Sequence, residues 1–423
     1  MPTQQTLLRE AMKRLGLTRN DFAERLGVTR RALDTWLLPS ASGEHRAMPA
    51  VVAKAVAALP GGEAPRPAAP GLRERIAPKG KPHLISVAQL DRDAVEDLLA
   101  VATALEPVAS RRKVTRVLEG AVLANLFFEP STRTRVSFGT AFCRLGGSVC
   151  DTTGFTFSSM AKGESIADTA RVVAGYADAI VVRHPDKGSV AQFAKGVHVP
   201  VINGGDGAGE HPTQALLDLY TIRKEFARLG KKVDGAHVAM VGDLKHGRTV
   251  HSLIRLLSLY KGLTFTLVAP RSLEMPPELV EAAGAGGHRV KQVATLGESL
   301  KKADVLYATR IQKERMSGEA LEAYPADFRI ERRVVDALCR PDVIVMHPLP
   351  RDGTPGANDL GTDLDGDPRL AIFRQTDNGI PVRMAIFAVL LGVDGLVAKD
   401  LKDAPWISPA RIGVADAPFH RLG

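Results

Sequence analysis

Cysteine is scarce in this chain: Cys143, Cys150 and Cys339 are the three in 423 residues. They form neither a CxxC pair nor an even framework, which argues against a disulfide-built scaffold and a structural zinc site. A reducing compartment, with free thiols buried in cores, is expected instead. Long apolar runs are missing too. The N-terminus has no apolar h-region, and no stretch approaches about eighteen uninterrupted apolar residues, so neither a signal peptide nor a membrane span is expected, and the cytoplasm is the expected location. A calcium loop also fails: Asp363, Asp365 and Asp367 have the spacing, but Pro368 stands where glycine is needed and Arg374 where the bidentate Glu belongs. What remains is an ordinary globular composition, 45% hydrophobic and 24% charged, in a chain long enough for about three domains.

There is no acidic surplus. The formal net charge is +9, and residues 1–80, with thirteen Lys/Arg against seven Asp/Glu, carry +6 of it. Such an excess suits nucleic acid or acidic partners, and equally suits solubility. Residues 60–82, PGGEAPRPAAPGLRERIAPKGKP, replace apolar periodicity with Pro and Gly and read as a partly extended linker. After it, the runs AIVVRHP, VPVING, HVAMVGD, TFTLVAP, ADVLYATR and VIVMHPLP alternate with helical patterns. That alternation predicts α/β domains with doubly wound parallel sheets, in which ligands sit beyond the carboxyl ends of the strands.

Polar clusters occupy those ends. In FFEPSTRTRVSF, Ser131, Thr132, Arg133, Thr134 and Arg135 follow an apolar run and precede Phe138, Ala141, Phe142 and Leu145 at helical spacing. A helix start supplies unpaired N–H groups and partial positive charge. Hydroxyls and guanidinium forks added there suit a phosphate or a similar anion, although an ordinary Ser/Thr cap has the same look. Arg183-His184-Pro185, Gly204–Gln214, Asp243–Leu253, Thr309–Arg315 and His347–Arg351 follow other strand-like runs.

Across residues 82–395 the chain resembles the aspartate carbamoyltransferases, carrying FFEPSTRTR, SSMAKGES, VRHP, HPTQ, DLKHGRTVHSL, TRIQKER and HPLPR in that family's order. The resemblance implies transfer of a carbamoyl group from carbamoyl phosphate to L-aspartate, in pyrimidine biosynthesis, with no metal or organic cofactor. It assigns the phosphate to Ser131, Thr132, Arg133 and Thr134, with Arg183 adding charge, and gives His211 the carbonyl oxygen. Gln214 and the backbone carbonyls of Leu349 and Pro350, across a cis bond, would hold the carbamoyl amide. Arg248, Arg310 and Gln312 would hold the aspartate, a dicarboxylate suited to guanidinium forks. Glu129 and Arg315 would form interdomain ion pairs that hold the closed state. Ser158 and Lys162 would enter from a neighbouring chain of a homotrimer, although Ala161 stands where the family often has a second basic residue. Arg133, Thr134, Arg183, His211 and Lys162 are the expected catalytic set. An ornithine-specific relative is the nearest rival, but it typically has Cys in place of Pro348 and lacks the arginine of DLKHGRTVHSL.

The implied organisation is a helical unit at 1–59, the linker at 60–82, a carbamoyl-phosphate domain at 83–222 completed by a helix at about 381–395, an aspartate domain at 223–380, and a tail at 396–423. The stretch 351–369 reads as an acidic, Gly-rich loop. Within the first unit, LTRNDFAERLGVTRRALDTWL resembles a repressor-type helix-turn-helix, with Phe22, Ala23 and Leu26 on one side of Gly27 and Val28, Leu33 and Trp36 on the other. Three uses stay open for it. One is docking to trimers or to regulatory or dihydroorotase-type chains, one is DNA binding, and one is regulation with the transferase body as a sensor. Docking is the expectation.

Overall fold

The computed structural model describes residues 3–15, 18–50, 52–53, 56, 71–77, 82–154, 159–312, 328–353 and 359–406. The chain divides into two units, Met1–Gly71 and Leu72–Gly423. In the first, helices Gln4–Leu15, Arg19–Arg25 and Arg30–Leu37 enclose Leu8, Ala11, Phe22, Ala23, Leu33 and Trp36. Gly27, at φ +67°, makes the turn between the second and third helices in the left-handed region where a side chain would be strained. Thr29 then caps the third helix, its hydroxyl accepting from the Ala32 N–H at 3.2 Å.

The second unit contains two parallel sheets. One is ordered Ser148–Thr153, Val122–Phe127, Ala179–His184, Val201–Asp206. The other is ordered Ile344–Met346, Val305–Thr309, His237–Gly242, Thr264–Val268, Arg289–Val293. Six of these strands are the β-branched runs read from the sequence and Val122–Phe127 is the apolar run before Ser131, while the edge strands Ser148–Thr153 and Arg289–Val293 were not read. The central ones are covered on both faces, so they read as continuous apolar runs, whereas the edge strand Arg289–Val293 is largely exposed and polar.

Helix Ile372–Leu390 packs against helices Arg92–Ala109, Thr132–Arg144 and Pro212–Arg228, with the Phe387 ring edge-on to Phe142 at 4.9 Å. It begins at Ile372 rather than near 381 and runs through Pro381. An internal proline costs about 3 kcal/mol. Burial of Val382, Met384, Ile386, Phe387, Val389 and Leu390, at about 1.5–3 kcal/mol each, outweighs that cost.

Other expectations are corrected. Within 60–82, residues 60–70 and 78–81 fall outside the described set, but Leu72–Ile76 is a helix, not extended linker. Leu72 and Ile76 share one helical face, Ile76 and Ala77 are buried, and Arg75 pairs with Asp97. The boundary at 222/223 cuts the continuous helix Pro212–Arg228. The tail is docked in its first part, where Val397 is buried and Lys402–Asp403 pairs antiparallel with Lys113–Val114. Cys143 and Cys150 are exposed, not in cores: Phe138, Ala141, Phe142 and Leu145 take the inward face beside Cys143, and Cys150 lies on an edge strand. Cys339 is half-buried, and burial pushes its thiol up to about 11. Among the described residues no single helix is long and apolar enough to cross a membrane.

Candidate active site

The carboxyl ends of both sheets open on one cavity of about 650 Å³. Glu129, Ser131, Thr132, Arg133, Thr134, Arg183, His211, Gln214, Arg248, Arg310, Gln312, Leu349 and Pro350 all line it, so residues more than two hundred positions apart in sequence converge. Ser158 and Arg315 lie outside the described residues. Lys162 is exposed at the end of the short helix Ser159–Lys162 and is not part of this lining.

Three helix starts face the cavity. Helix Thr132–Arg144 has Ser131 at its N-cap position, and Ser131 makes no side-chain cap bond, which leaves the first-turn N–H groups and neighbouring hydroxyls as donors. Arg135 turns away to Asp151 at 3.1 Å, leaving Arg133 as that helix's guanidinium in the cavity. Helix Pro212–Arg228 begins within the HPTQ motif, earlier than its ALLDLYTIRKEF core suggests, with Pro212 at its first position and His211 preceding it. The buried His211 donates its backbone N–H to Ser252 Oγ at 3.0 Å, tying this start to helix Arg248–Leu257 of the other layer. That helix brings Arg248 to its own first position.

The cavity is strongly cationic. Arg133, Arg183, Arg248, Arg310 and Arg383 surround it with one carboxylate, Glu129, among the residues lining it. Burial, followed by the neighbouring Arg310 charge, lowers the Arg133 pKa. Glu129, one of the two residues expected to form ion pairs between the domains, holds Arg183 Nε at 2.9 Å and Arg248 Nη2 at 3.0 Å through its Oε2. The Arg248 pair links the two sheet layers. Arg248 also donates to the Gly207 carbonyl at 2.7 Å. Gly205 permits this crowding, because at φ +127° a Cβ there would lie 2.9 Å from Arg183 Nη1 and 3.0 Å from Arg248 Cζ.

On the other layer, the fully buried Asp243 orders two loops at once, accepting from His246 N at 2.9 Å and Gln312 N at 3.0 Å. Gln312 Nε2 donates to the Arg310 carbonyl at 3.1 Å. The peptide Leu349-Pro350 is cis. Its segment is held by His347, whose Nδ1 accepts from Leu349 N at 2.8 Å while Nε2 lies 2.5 Å from buried Asp359. That contact fixes the tautomer, because Nδ1 must be the acceptor. The acidic loop is likewise tied down, with Asp365 on Arg351 and Asp367 on Arg332 and Arg369.

Several lining residues escaped sequence reading: Gln375, Thr376 and Arg383 on helix Ile372–Leu390. Arg383 was the legible one, a lone charge in the apolar run IPVRMAIFAVLL. It is 3% exposed, and burial pushes its guanidinium down to about 10. Asp218, fully buried beneath the cavity, was also missed; burial pushes its carboxyl up to about 6.

Two family models match the chain: "Aspartate/ornithine carbamoyltransferase, carbamoyl-P binding domain" over residues 82–224 and "Aspartate/ornithine carbamoyltransferase, Asp/Orn binding domain" over 234–390. The aspartate carbamoyltransferase catalytic subunit of Dichelobacter nodosus is 56% identical over 341 residues, covering 80% of this chain and 98% of that protein. The Saccharophagus degradans catalytic subunit is 56% identical over 325 residues, 77% and 96% of the two chains. Among solved structures, Trypanosoma cruzi aspartate transcarbamoylase in complex with carbamoyl aspartate and phosphate superposes with a TM-score of 0.67 at 39% identity, covering 75% of this chain and 97% of that one. The Methanocaldococcus jannaschii catalytic subunit gives 0.65 at 42% identity, covering 73% and 98%.

Proposed function

Because this chain belongs to the aspartate/ornithine carbamoyltransferase family, we propose that it transfers the carbamoyl group of carbamoyl phosphate to the amine of L-aspartate, giving N-carbamoyl-L-aspartate and phosphate. The observation that carries the reading is one cavity with two anion-holding ends, the Ser131–Thr134 helix start on one sheet layer and Arg248 with Arg310 on the other. The helix-start N–H groups, Arg133 and Arg183 hold the phosphate. Gln214 and the Leu349 and Pro350 carbonyls hold the carbamoyl NH2. His211 stands at the carbonyl oxygen. Arg248, Arg310 and Gln312 receive the two carboxylates of aspartate. The amine lone pair attacks the carbonyl carbon, the tetrahedral oxyanion collapses, the C–O bond to phosphate breaks with its electron pair, and the amine loses a proton. Positioning and charge stabilisation supply the acceleration. Pro348 and the Arg248/Arg310 pair favour aspartate over ornithine, whose ammonium side chain two guanidiniums would repel. Phosphate release from carbamoyl phosphate that requires added L-aspartate supports the reading; release independent of it contradicts it.

Two further parts belong to the same proposal. Ser158 and Lys162 act in the cavity of a neighbouring chain within a homotrimer, and the exposure of Lys162 outside its own cavity's lining supports this. Lys162→Ala chains reassembled with His211→Ala chains should regain activity, whereas inactive verified hybrids would refute the shared site. The helical unit serves docking, to other trimers or to a regulatory or dihydroorotase-type chain, in the cytoplasm. Asp34 supports docking over DNA, since it neutralises both Arg30 at 2.8 Å and Arg19 at 3.3 Å on the helix pair that would meet phosphates.

A further inference from the structure

The carboxylate of Asp218 takes three donors from three separate elements. Gln214, one turn earlier on helix Pro212–Arg228, donates Nε2 to Oδ1 at 2.9 Å. Gln375, on helix Ile372–Leu390, donates Nε2 to the same oxygen at 2.6 Å. Tyr307, on strand Val305–Thr309 of the second sheet, donates its hydroxyl to Oδ2 at 2.7 Å. Asp218, Tyr307 and Gln375 are at most 2% exposed, and the buried Arg383 guanidinium supplies the opposing charge.

An ionised carboxylate accepts and cannot donate. Both glutamine amides must therefore turn their nitrogens toward Asp218 and their oxygens away. For Gln375 the consequence is visible, as its Oε1 accepts from His347 N at 3.0 Å at the start of the His347–Pro350 segment. Gln214 lines the cavity, and the same constraint leaves its Oε1, an acceptor without a partner among the described residues, as the end offered to a ligand. An acceptor there suits an NH2 group and does nothing for a methyl.

We propose that Asp218 is a positioning residue that fixes the orientation of the Gln214 and Gln375 amides, and that this makes the cavity prefer a carbamoyl phosphate to an acyl phosphate of the same shape. The inference rests on the transfer reading above, which places the carbamoyl group at Gln214. Asp218 touches no substrate; it acts through the two amides.

The test compares equilibrium binding of carbamoyl phosphate and acetyl phosphate, which replaces the NH2 by CH3, to the full-length chain at pH 8. Asp218→Asn keeps the shape but can present either end of an amide, so the Gln214 amide is free to turn. The preference for carbamoyl phosphate should fall by about tenfold, the worth of one well-made buried hydrogen bond. Tyr307→Phe removes the third donor without releasing either amide, and should leave the preference within about twofold. The unsubstituted chain gives an independent readout: between pH 8 and pH 5 its preference should drop toward the Asp218→Asn value as the carboxyl takes up a proton. Tyr307 and Arg383, which face Asp218, hold one form over that range, the first raised by burial and the second at about 10. An unchanged preference in Asp218→Asn, an equal fall in both variants, or a pH-independent preference in the unsubstituted chain would overturn the proposal. Because binding is read, a chain that prefers carbamoyl phosphate but forms no carbamoyl aspartate would sink the transfer reading alone.

Discussion

Arg133 stands where a cation is badly placed unless an anion joins it. It is the second residue of helix Thr132–Arg144, it lines the cavity, and the charge acting on it most clearly is another cation, Arg310. A positive charge in a helix's first turn costs about 0.3–1 kcal/mol, and the neighbouring guanidinium adds to that. Arg133→Gln should therefore leave the ligand-free protein as stable or stabilise it by about 1 kcal/mol, a Tm rise of about 2–4 °C for a domain of this size. The same change removes a charge-assisted fork to phosphate worth about 1.5–3 kcal/mol, weakening inorganic phosphate by about 10- to 150-fold. Thermal unfolding with and without phosphate reads both effects. At ten times the unsubstituted Kd, phosphate should add about 1.4 kcal/mol to that chain and no more than about 0.4 kcal/mol to the variant. A variant that loses more than about 1 kcal/mol without phosphate would show Arg133 to be structural. Equal stabilisation of both chains by phosphate would move the phosphate site elsewhere.

Arg310→Ala should raise the KM for aspartate while leaving carbamoyl phosphate binding nearly intact, as steady-state kinetics against each substrate would show; equal loss of both would point to misfolding or a wrong assignment. Asp218 makes stability depend on pH. Its folded pKa of about 6 lies above the ordinary 3.8, so the native state binds the extra proton between those values. Its contribution is thus fully present below about pH 4 and lost as pH rises through 6, to a total of about 3 kcal/mol. Urea unfolding at pH 4.5 and pH 7 should show the stability gap between the unsubstituted chain and Asp218→Asn shifting by about 2 kcal/mol in favour of the variant at the higher pH, and a constant gap would refute the burial argument.

Much of the site was legible because its parts are local. FFEPSTRTR, HPTQ and DLKHGR each lie where a strand end and a helix start are no more than six residues apart, and Ser131–Thr134, His211, Gln214 and Arg248 all reach the cavity. What escaped was the support beneath them. Asp218 reads as one polar residue in the helix ALLDLYTIRKEF, and its partners Tyr307 and Gln375 lie 89 and 157 positions away, so no spacing rule joins them. Glu129 went to Arg183 and Arg248 because ion pairing is settled by which guanidiniums the fold brings close. The early start of helix Ile372–Leu390 was hidden by Pro381, a local breaker overridden by burial against three neighbouring helices. The helix in the Pro/Gly-rich stretch was masked in the same way by its neighbours in sequence, since five residues bearing two apolar groups carry little periodicity.

The central claim is tested most directly by incubating the purified chain with 13C-labelled carbamoyl phosphate and equal amounts of L-aspartate and L-ornithine, and identifying the labelled product. The account predicts N-carbamoyl-L-aspartate, formed one-to-one with phosphate, at a rate that His211→Ala lowers by about 10²- to 10³-fold as the loss of an oxyanion donor. Label found in carbamoyl ornithine, label released only by hydrolysis, or a His211→Ala chain as fast as the unsubstituted one would contradict it.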